Sequence, residues 1–328
     1  MTGPAAVLPA PSPSETPPGD TGGAHVGEDA RVKPSPFTYH RPEGVEEALA
    51  VLADVGADGK VLAGGQSLLP ILSMRLAAPG HVVDINRLSD LSYVRTDADG
   101  VRVGALARHA AVERNEQAAR VQPLLRHALR LVAHPTIRNR GTTVGSLAHA
   151  DPSGEMTAVL AVLGGTVSIA SAAPGRAGRR EVAAADFFLG PLESAIGAGD
   201  LAVEAFFPAA PAGSGSAFVE VARRHGDYAV CGVAAVVAPA GDRVHARLGY
   251  VSMGPTPAIS KIDMPVPADP ASPRSWHEAA EGAVGSLEPE GDIHATADYR
   301  LHLARVLTAR ALAQAWSASG AGRGEEAA

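Results

Sequence analysis

The stretch that decides the fold is an apolar run meeting two adjacent glycines, Lys60-Val61-Leu62-Ala63-Gly64-Gly65-Gln66-Ser67-Leu68-Leu69-Pro70. The apolar residues predict the end of a buried strand, and the glycines allow a turn through positive φ. Such a turn can point successive backbone N–H groups into one concavity, which suits a phosphate or pyrophosphate. An ordinary surface turn is the alternative, because paired glycines after a strand are common in turns.

The residues after the glycines exclude two well-known phosphate motifs. Gln66-Ser67 stands where a P-loop requires Lys followed by Ser or Thr. The spacing of the glycines also differs from the dinucleotide-binding fingerprint. A nucleotide at this position would therefore bind in another geometry.

A second small and polar stretch, HPTIRNRGTTVGSLAHADP, runs from His134 to Pro152. Two such loops can close on one extended ligand from two sides. Arg138 and Arg140 can neutralise a phosphate there, although solvated arginines are the more common case. Asp151-Pro152 predicts a helix start, with Asp151 as the N-cap and Pro152 in the first helical position.

The composition excludes several classes of protein. The 328 residues carry a formal net charge of −7, which argues against general binding of nucleic acid. The single cysteine, Cys231, cannot form a disulfide within the chain or hold an iron–sulfur cluster alone, and it fits a cytoplasmic protein. No run approaches the ~18 apolar residues of a membrane span. No hydrolase grouping or metal-ligand spacing is visible, so no catalytic side chain and no metal site are predicted.

Shifts in composition predict the division of the chain into domains. The first residues hold little that could be buried, and strands and helices then alternate in an α/β pattern. Within that part, Leu68 to Leu76 is predicted to be loop-like. The predicted units are a disordered extension (1–33), a first domain (34–210) with subdomains of about 34–90 and 91–210, a linker (208–215), a second domain (215–317) and a disordered tail (318–328).

The pattern after the linker changes to an alternation of two residues. Three strands are predicted, Phe218–Arg223, Val230–Ala238 and Arg243–Val251, which form an antiparallel sheet with one covered face. Helices at Trp276–Val284 and Tyr299–Trp316 are predicted to cover that face. The expected fold class is therefore α+β.

Six motifs together resemble one family. They are AGGQSLLP (63–70), VVDINRL (82–88), HPTIRNRGTTVGSLAHADP (134–152), ARRHGDYAVCGVAA (222–235), GPTPA (254–258) and DYRLHLARVL (298–307). Their order and sequence resemble the FAD-binding medium subunit of the molybdenum hydroxylases, the enzymes of the carbon monoxide dehydrogenase and xanthine dehydrogenase type. The resemblance implies an FAD-binding domain of the vanillyl-alcohol-oxidase type made of two α/β subdomains, followed by a C-terminal antiparallel sheet covered by helices.

The resemblance also implies which residues bind the FAD. In the family the first loop wraps the pyrophosphate, a second loop and an acidic residue lie near the nucleotide, and a tyrosine lies over the isoalloxazine ring. The matching positions are Ala63, Gly64, Gly65, Gln66, Ser67 and Leu68, then Thr142, Thr143, Val144, Gly145 and Ser146, and finally Asp151 and Tyr228. Val144 departs from the family, which has a glycine there. If that position needs positive φ or touches the diphosphate, a β-branched residue would weaken FAD binding.

The function implied by the resemblance is electron transfer within a complex. A large subunit would carry the molybdenum cofactor and a small subunit two [2Fe–2S] clusters. FAD on this chain would pass electrons to NAD, oxygen or a quinone. Two alternatives are an assembly or binding subunit with weakened FAD affinity, favoured by Val144, and a stand-alone flavin oxidoreductase.

Overall fold

A small parallel sheet forms the beginning of the fold. In the computed structural model, which describes residues 33–325, its strands are β1 (Thr38–His40), β2 (Gly59–Leu62) and β3 (His81–Asp84), with β3 in the middle. Helix α1 (Val45–Val55) buries Ala48 and Leu52 and ends at Gly56, whose φ of 55° gives the stop. The extension predicted to be disordered lies outside the described residues, apart from Lys33.

Helix α2 (Leu68–Ser73) follows the Gly64-Gly65 turn. The prediction of a loop is therefore wrong for these six residues. The helix is too short to show a clear periodicity, and its third residue is Pro70. Proline is tolerated in the first turn because the N–H group it lacks would have no partner within the helix. Leu72 anchors the helix, since it is almost fully buried.

The second sheet has five antiparallel strands and most of the helices around it. Its elements in chain order are β4 (Val94–Thr96), β5 (Gly100–Gly104), α3 (His109–Arg114), α4 (Glu116–Val121), α5 (Pro123–Leu129), α6 (Pro135–Arg138), α7 (Thr143–His149), α8 (Glu155–Leu163), β6 (Thr166–Ser171), β7 (Gly178–Ala183), α9 (Ala184–Phe187), β8 (Phe188–Gly190), β9 (Glu193–Ser194) and β10 (Asp200–Pro208). The strand order is β4–β5–β10–β6–β7, and β8 pairs with β9 in a separate hairpin. The central strand β10 is buried along most of its length, so it organises the core of this part.

The third sheet contains four antiparallel strands in sequence order. Its elements are β11 (Gly215–Ala222), β12 (Ala229–Ala240), β13 (Arg243–Val251), β14 (Ala258–Pro265), α10 (His277–Val284), α11 (Ala297–Ala318) and α12 (Gly320–Glu325). Short 3-10 turns elsewhere in the chain cover Gly56–Asp58, Ser89–Leu91 and Pro273–Trp276. Three of the strands and both covering helices were predicted. The edge strand β14 was missed, although its residues alternate between half-buried and exposed.

Both faces of the third sheet are covered, contrary to the prediction of one covered face. Val233 and Ala235 of β12 pack with α10 and α11 in one core. Ala234 and Val236, on the opposite face, pack into the core of the FAD-binding part together with Phe218 of β11. Strand β12 is consequently buried on both sides over Ala229–Val237. One core thus continues across the linker.

The end of the chain is more ordered than predicted. Helix α12 lies within the tail that was expected to be disordered, so the prediction is wrong for residues 320–325. Two contacts fix its start: the Gly320 N–H donates to the carbonyl of Gly213, and the Gly322 N–H donates to Oγ of Ser319. Residues 326–328 lie outside the described part. Between residues 33 and 325, no helix combines the length and apolar character needed to cross a membrane.

Candidate functional site

A cavity of about 750 Å³ brings the two predicted loops and the tip between β11 and β12 together. Every predicted site residue lines it except Thr143. Thr143 instead points into the core, where its Oγ1 lies 3.3 Å from Nδ1 of His109. The volume lies within the usual range for a cofactor site, roughly 300–1,000 Å³. The cavity can therefore take one extended ligand, as the two loops suggested.

The first loop presents unpaired backbone donors to this cavity. Among the described residues, the N–H groups of Gly65, Gln66 and Ser67 find no hydrogen-bond acceptor, although all three residues are half-buried. Because these three N–H groups border the cavity and have no acceptor within the described protein, they suit an anionic ligand. Gly65 has a φ of 73°, as predicted for the turn. The side-chain amide of Gln66 donates to the Gly64 carbonyl over 3.1 Å and holds the turn.

Gly64 allows the two loops to approach each other. A Cβ at this position would lie 2.5 Å from the carbonyl oxygen of Arg140 and 2.8 Å from Cα of Gly141. Both distances are too short for a side chain of any kind. The loops touch here only because residue 64 is a glycine.

The second predicted loop is the beginning of helix α7. Thr142 is its N-cap, and Oγ1 of Thr142 accepts a hydrogen bond from the Gly145 N–H at 3.1 Å. Val144 lies within this helix, has no positive φ and is only 2% exposed, because its side chain packs in the core. The backbone strain considered for Val144 is therefore absent.

Asp151 lines the cavity but does not cap a helix. Its Oδ1 accepts a hydrogen bond from the Ser153 N–H at 2.8 Å, and α8 begins only at Glu155, with Gly154 as N-cap. The prediction of an Asp151 N-cap is wrong, because the side chain closes a local turn two residues ahead of it. Gly154 then has extended backbone and separates this turn from the helix.

Tyr228 reaches the cavity from the tip between β11 and β12 (residues 223–228). Its side chain is 60% exposed, which leaves a ring face available to a planar ligand. An ion pair of 3.0 Å between Arg223 and Asp227 crosses the tip. The backbone N–H of Tyr228 donates to Oδ1 of Asp227. The tip is thus held at its base on both sides of Gly226.

The two arginines considered for phosphate binding are outside the cavity lining. Arg138 is buried, pairs with Glu113 at 2.9 Å and donates to the carbonyl of Val132 at 3.0 Å. Arg140 is exposed, and its carbonyl accepts a hydrogen bond from Arg108. Arg138 is therefore neither a phosphate ligand of this cavity nor the solvated arginine that was the alternative, because it is buried in an ion pair. No group of metal-ligating side chains occurs within the described part of the chain.

Sequence reasoning missed buried titratable residues of the cavity wall, among them His109 and Glu155. Burial, followed by the charge of Arg138, lowers the pKa of His109 to about 4, so its imidazole is neutral at pH 7. Burial, followed by the charges of Glu220 and Asp151, raises the pKa of Glu155 to about 8. An acidic residue in the first turn of a helix is normally explained by its favourable interaction with the positive end of the helix dipole, so it does not stand out as a site residue. No signal in the sequence marked either residue as part of a site.

Comparisons with known proteins agree with this geometry. Residues 35–210 match the family described as the FAD binding domain in molybdopterin dehydrogenase, and residues 216–315 match the CO dehydrogenase flavoprotein C-terminal domain. The 6-hydroxypseudooxynicotine dehydrogenase complex subunit alpha of Paenarthrobacter nicotinovorans is 39% identical over 87% of this chain and 96% of that protein. The carbon monoxide dehydrogenase medium chain of Hydrogenophaga pseudoflava is 35% identical over 87% and 98%.

Solved structures are similar over nearly the whole described chain. Quinoline 2-oxidoreductase from Pseudomonas putida 86 superimposes with a TM-score of 0.79 at 37% identity, covering 88% of this chain and 99% of that one. Carbon monoxide dehydrogenase from Hydrogenophaga pseudoflava gives a TM-score of 0.79 at 34% identity. The α+β fold predicted from the resemblance is thereby confirmed.

The residues present fit FAD as the cofactor. The unpaired N–H groups of Gly65, Gln66 and Ser67 suit its diphosphate, and the exposed face of Tyr228 suits a planar ring. The similar proteins include a subunit of a dehydrogenase complex and the medium chain of a carbon monoxide dehydrogenase. This chain is therefore a member of the family of FAD-binding medium subunits of the carbon monoxide dehydrogenase and xanthine dehydrogenase type oxidoreductases.

Proposed function

We propose that this chain receives electrons from the [2Fe–2S] clusters of a small partner subunit and passes them through FAD to a final acceptor. NAD, oxygen and quinones are the acceptor classes that the proposal includes. A large subunit with a molybdenum cofactor would oxidise the substrate. The observation that carries the proposal is the cavity of about 750 Å³ with its unpaired N–H groups, on a chain whose single cysteine cannot hold a cluster.

The proposed domains follow the sequence. Residues 34–210 form the FAD-binding domain and residues 215–317 the C-terminal domain, with the cofactor between loops of the first and the tip of the second. The lining of the cavity supports this division, because Gly226, Asp227 and Tyr228 of the C-terminal part line a cavity whose other walls belong to the first part. A cytoplasmic location stays a prediction from the single cysteine.

Bound FAD supplies the redox chemistry, since its ring can exchange electrons one or two at a time. The chain contributes binding and orientation. The N–H groups of Gly65, Gln66 and Ser67 would hold the diphosphate, and Tyr228 would cover the ring and limit its contact with water. Asp151 lies on the same wall and is already engaged by the Ser153 N–H. No side chain is needed as a general base.

A subunit with weakened FAD affinity is a second candidate, because Val144 replaces a glycine of the family. The helical backbone and buried side chain of Val144 argue against that candidate, because they show no backbone strain at this position. The two candidates predict different FAD uptake. An electron-transfer subunit should take up about one FAD per chain, whereas an assembly subunit should bind FAD poorly and still form a stable complex with its partners.

The visible absorption spectrum of the full chain, before and after addition of FAD, is the first test. We expect flavin absorption at about one FAD per chain. The second step mixes the FAD-loaded chain, without oxygen, with a reduced partner subunit carrying the clusters. Bleaching of the flavin absorption would support electron transfer, whereas a loaded chain that stays oxidised in a stable complex would contradict it. Loading without any complex formation would favour the stand-alone oxidoreductase.

A further inference from the structure

A side chain continues the pairing of β2 with β3 where their backbone ladder ends. The last backbone contact is the hydrogen bond of 3.0 Å from the Ile85 N–H to the carbonyl of Leu62. One residue further along each segment, Nδ2 of Asn86 donates to the carbonyl of Ala63 at 2.8 Å. Ala63 directly precedes the Gly64-Gly65 turn. Asn86 therefore holds the backbone at the point where the first loop begins.

The side-chain amide of Asn86 has only one possible orientation. Its Oδ1 accepts a hydrogen bond from Nη2 of Arg108 at 2.7 Å, and a guanidinium group can only donate. Its Nδ2 faces two acceptors, the Ala63 carbonyl and Oδ1 of Asp84 at 2.6 Å. Both amide hydrogens and the amide oxygen are thus engaged. An aspartate at this position could accept from Arg108 but could not donate to Ala63.

Arg108 extends this contact to the second loop. Its Nη1 donates to the carbonyl of Arg140, while its Nη2 makes the contact just described. The backbone of Arg108 is fixed independently by an isolated antiparallel bridge to Thr142. The next N–H group, that of His109, donates to the carbonyl of Gly141 at 2.9 Å. Arg108 is therefore anchored beside the second loop, and its side chain reaches the segment that holds the first.

These hydrogen bonds form a continuous chain from the Ala63 carbonyl through Asn86 and Arg108 to the Arg140 carbonyl, which we call the Asn86–Arg108 bridge. Both of its ends adjoin Gly64. The Ala63 carbonyl precedes Gly64, and the Arg140 oxygen would lie 2.5 Å from a Cβ at Gly64. Neither Asn86 nor Arg108 lines the cavity, so the bridge can act on a ligand only through the backbone of the loops.

We propose that Asn86 and Arg108 are positioning residues, which keep the unpaired N–H groups of residues 65–67 directed at the FAD diphosphate. This inference rests on the proposed binding of FAD in this cavity. A loop without the bridge would sample arrangements in which the three N–H groups diverge, and FAD binding would have to restore the convergent one. The bridge should therefore raise FAD affinity without adding a contact to the cofactor.

A double-mutant cycle tests whether the two side chains act as one bridge. Asn86→Ala and Arg108→Ala should each lower the FAD affinity of the full chain about tenfold, which corresponds to ~1.4 kcal/mol. Because either change breaks the same bridge, the double variant should lose little more than the larger of the two single losses. Side chains that acted independently would instead give additive losses.

Two further variants sharpen the comparison. Asn86→Asp should lose at least as much affinity as Asn86→Ala, because its carboxylate cannot donate to Ala63 and would stand beside that of Asp84. Arg87→Ala is the matched control: Arg87 is the next residue in the chain and forms an exposed ion pair with Glu43 at 3.1 Å. Its loss should leave FAD affinity at the wild-type value.

Phosphorus NMR of bound FAD separates positioning from a general loss of stability. The resonances of the diphosphate respond to the hydrogen bonds it accepts, so they should shift in the variants of Asn86 and Arg108 and stay in place in Arg87→Ala. Urea unfolding of the FAD-free chains shows whether each variant folds. Arg108→Lys replaces Arg108→Ala if the latter does not fold, since lysine keeps the charge but cannot span Asn86 and Arg140.

Three results would overturn this inference and leave the proposed function intact. They are unchanged FAD affinity in the folded single variants, additive losses in the double variant, and unshifted phosphorus resonances in variants that bind more weakly. A wild-type chain that binds no FAD would overturn both the inference and the proposed function.

Discussion

Gly226 lies so close to the ring of His134 that a Cβ at Gly226 would stand 2.7 Å from Cε1 of His134. The contact joins the tip that carries Tyr228 to the segment before α6. The ring of His225 adds an edge contact, with its centroid 5.8 Å from that of His134. An exposed ion pair such as Arg223–Asp227 contributes only ~0.2–1 kcal/mol. Packing against His134 therefore restrains the position of the tip in addition to this ion pair.

Gly226→Ala should displace the tip and lower FAD affinity. The φ of Gly226 is 78°, so alanine adds backbone strain of about 1–2 kcal/mol, and the contact with His134 adds overpacking of about 1–3 kcal/mol. Gly241→Ala is the matched control, because Gly241 has a φ of 66° and open space around a Cβ. Urea unfolding and FAD titration of both variants measure the difference. Equal losses of stability and affinity would show that the His134 contact contributes nothing.

Gly64→Ala should abolish most FAD uptake. The new methyl group would push the first loop away from the Arg140 carbonyl, and the unpaired N–H groups would move with it. Gly282→Ala is the control: a Cβ there meets nothing, and alanine within helix α10 should add about 0.5–1 kcal/mol of stability. Flavin absorption per chain after gel filtration is the measurement. If the Gly64→Ala variant still carried a full complement of FAD, the close contact between the two loops would not be required for cofactor binding.

Val144→Gly introduces the glycine that the resemblance implies at this position, and it tests whether Val144 weakens FAD binding. Because Val144 is buried in a helix, the variant should lose roughly 2–4 kcal/mol of stability through the cavity and the glycine. FAD affinity should stay the same, since the backbone at Val144 is already unstrained. Val144→Ala should lose less stability with the same affinity. Tighter FAD binding by Val144→Gly would revive the assembly-subunit alternative.

His109 should make the fold sensitive to mild acid. Its pKa is about 4 in the folded chain and about 6.5 when exposed, so the unfolded chain binds a proton between these pH values that the folded chain does not. Stability therefore falls as pH falls, by roughly 3 kcal/mol at pH 4. His109→Asn should lose less stability than the wild type between about pH 7 and pH 4.5. His277→Gln, an exposed control, should follow the wild type. If the stability of all three chains depended on pH in the same way, the lowered pKa of His109 would be contradicted.

The sequence predicted the larger elements and the cavity-forming segments, because these depend on hydrophobic period and on glycine. It failed where a few residues decide the outcome. Helices α2 and α7 have six and seven residues, so Leu68–Ser73 and the turn after Thr142 appeared as loops. Asp151 closes a local turn instead of capping a helix. The burial of His109 and Glu155 depends on chain segments far away in sequence, and local patterns contain no information about those segments.

The core that continues from the FAD-binding part into β11 and β12 has a thermodynamic consequence. Phe218, Ala234 and Val236 are shared between the two parts, so unfolding of either one exposes apolar surface of the other. The linker is held as well, since the Ala210 N–H donates to the carbonyl of Val121. The two domains defined from the sequence should therefore unfold together as one cooperative unit. The chain should melt in a single calorimetric transition, and bound cofactor should raise the melting temperature of both domains together.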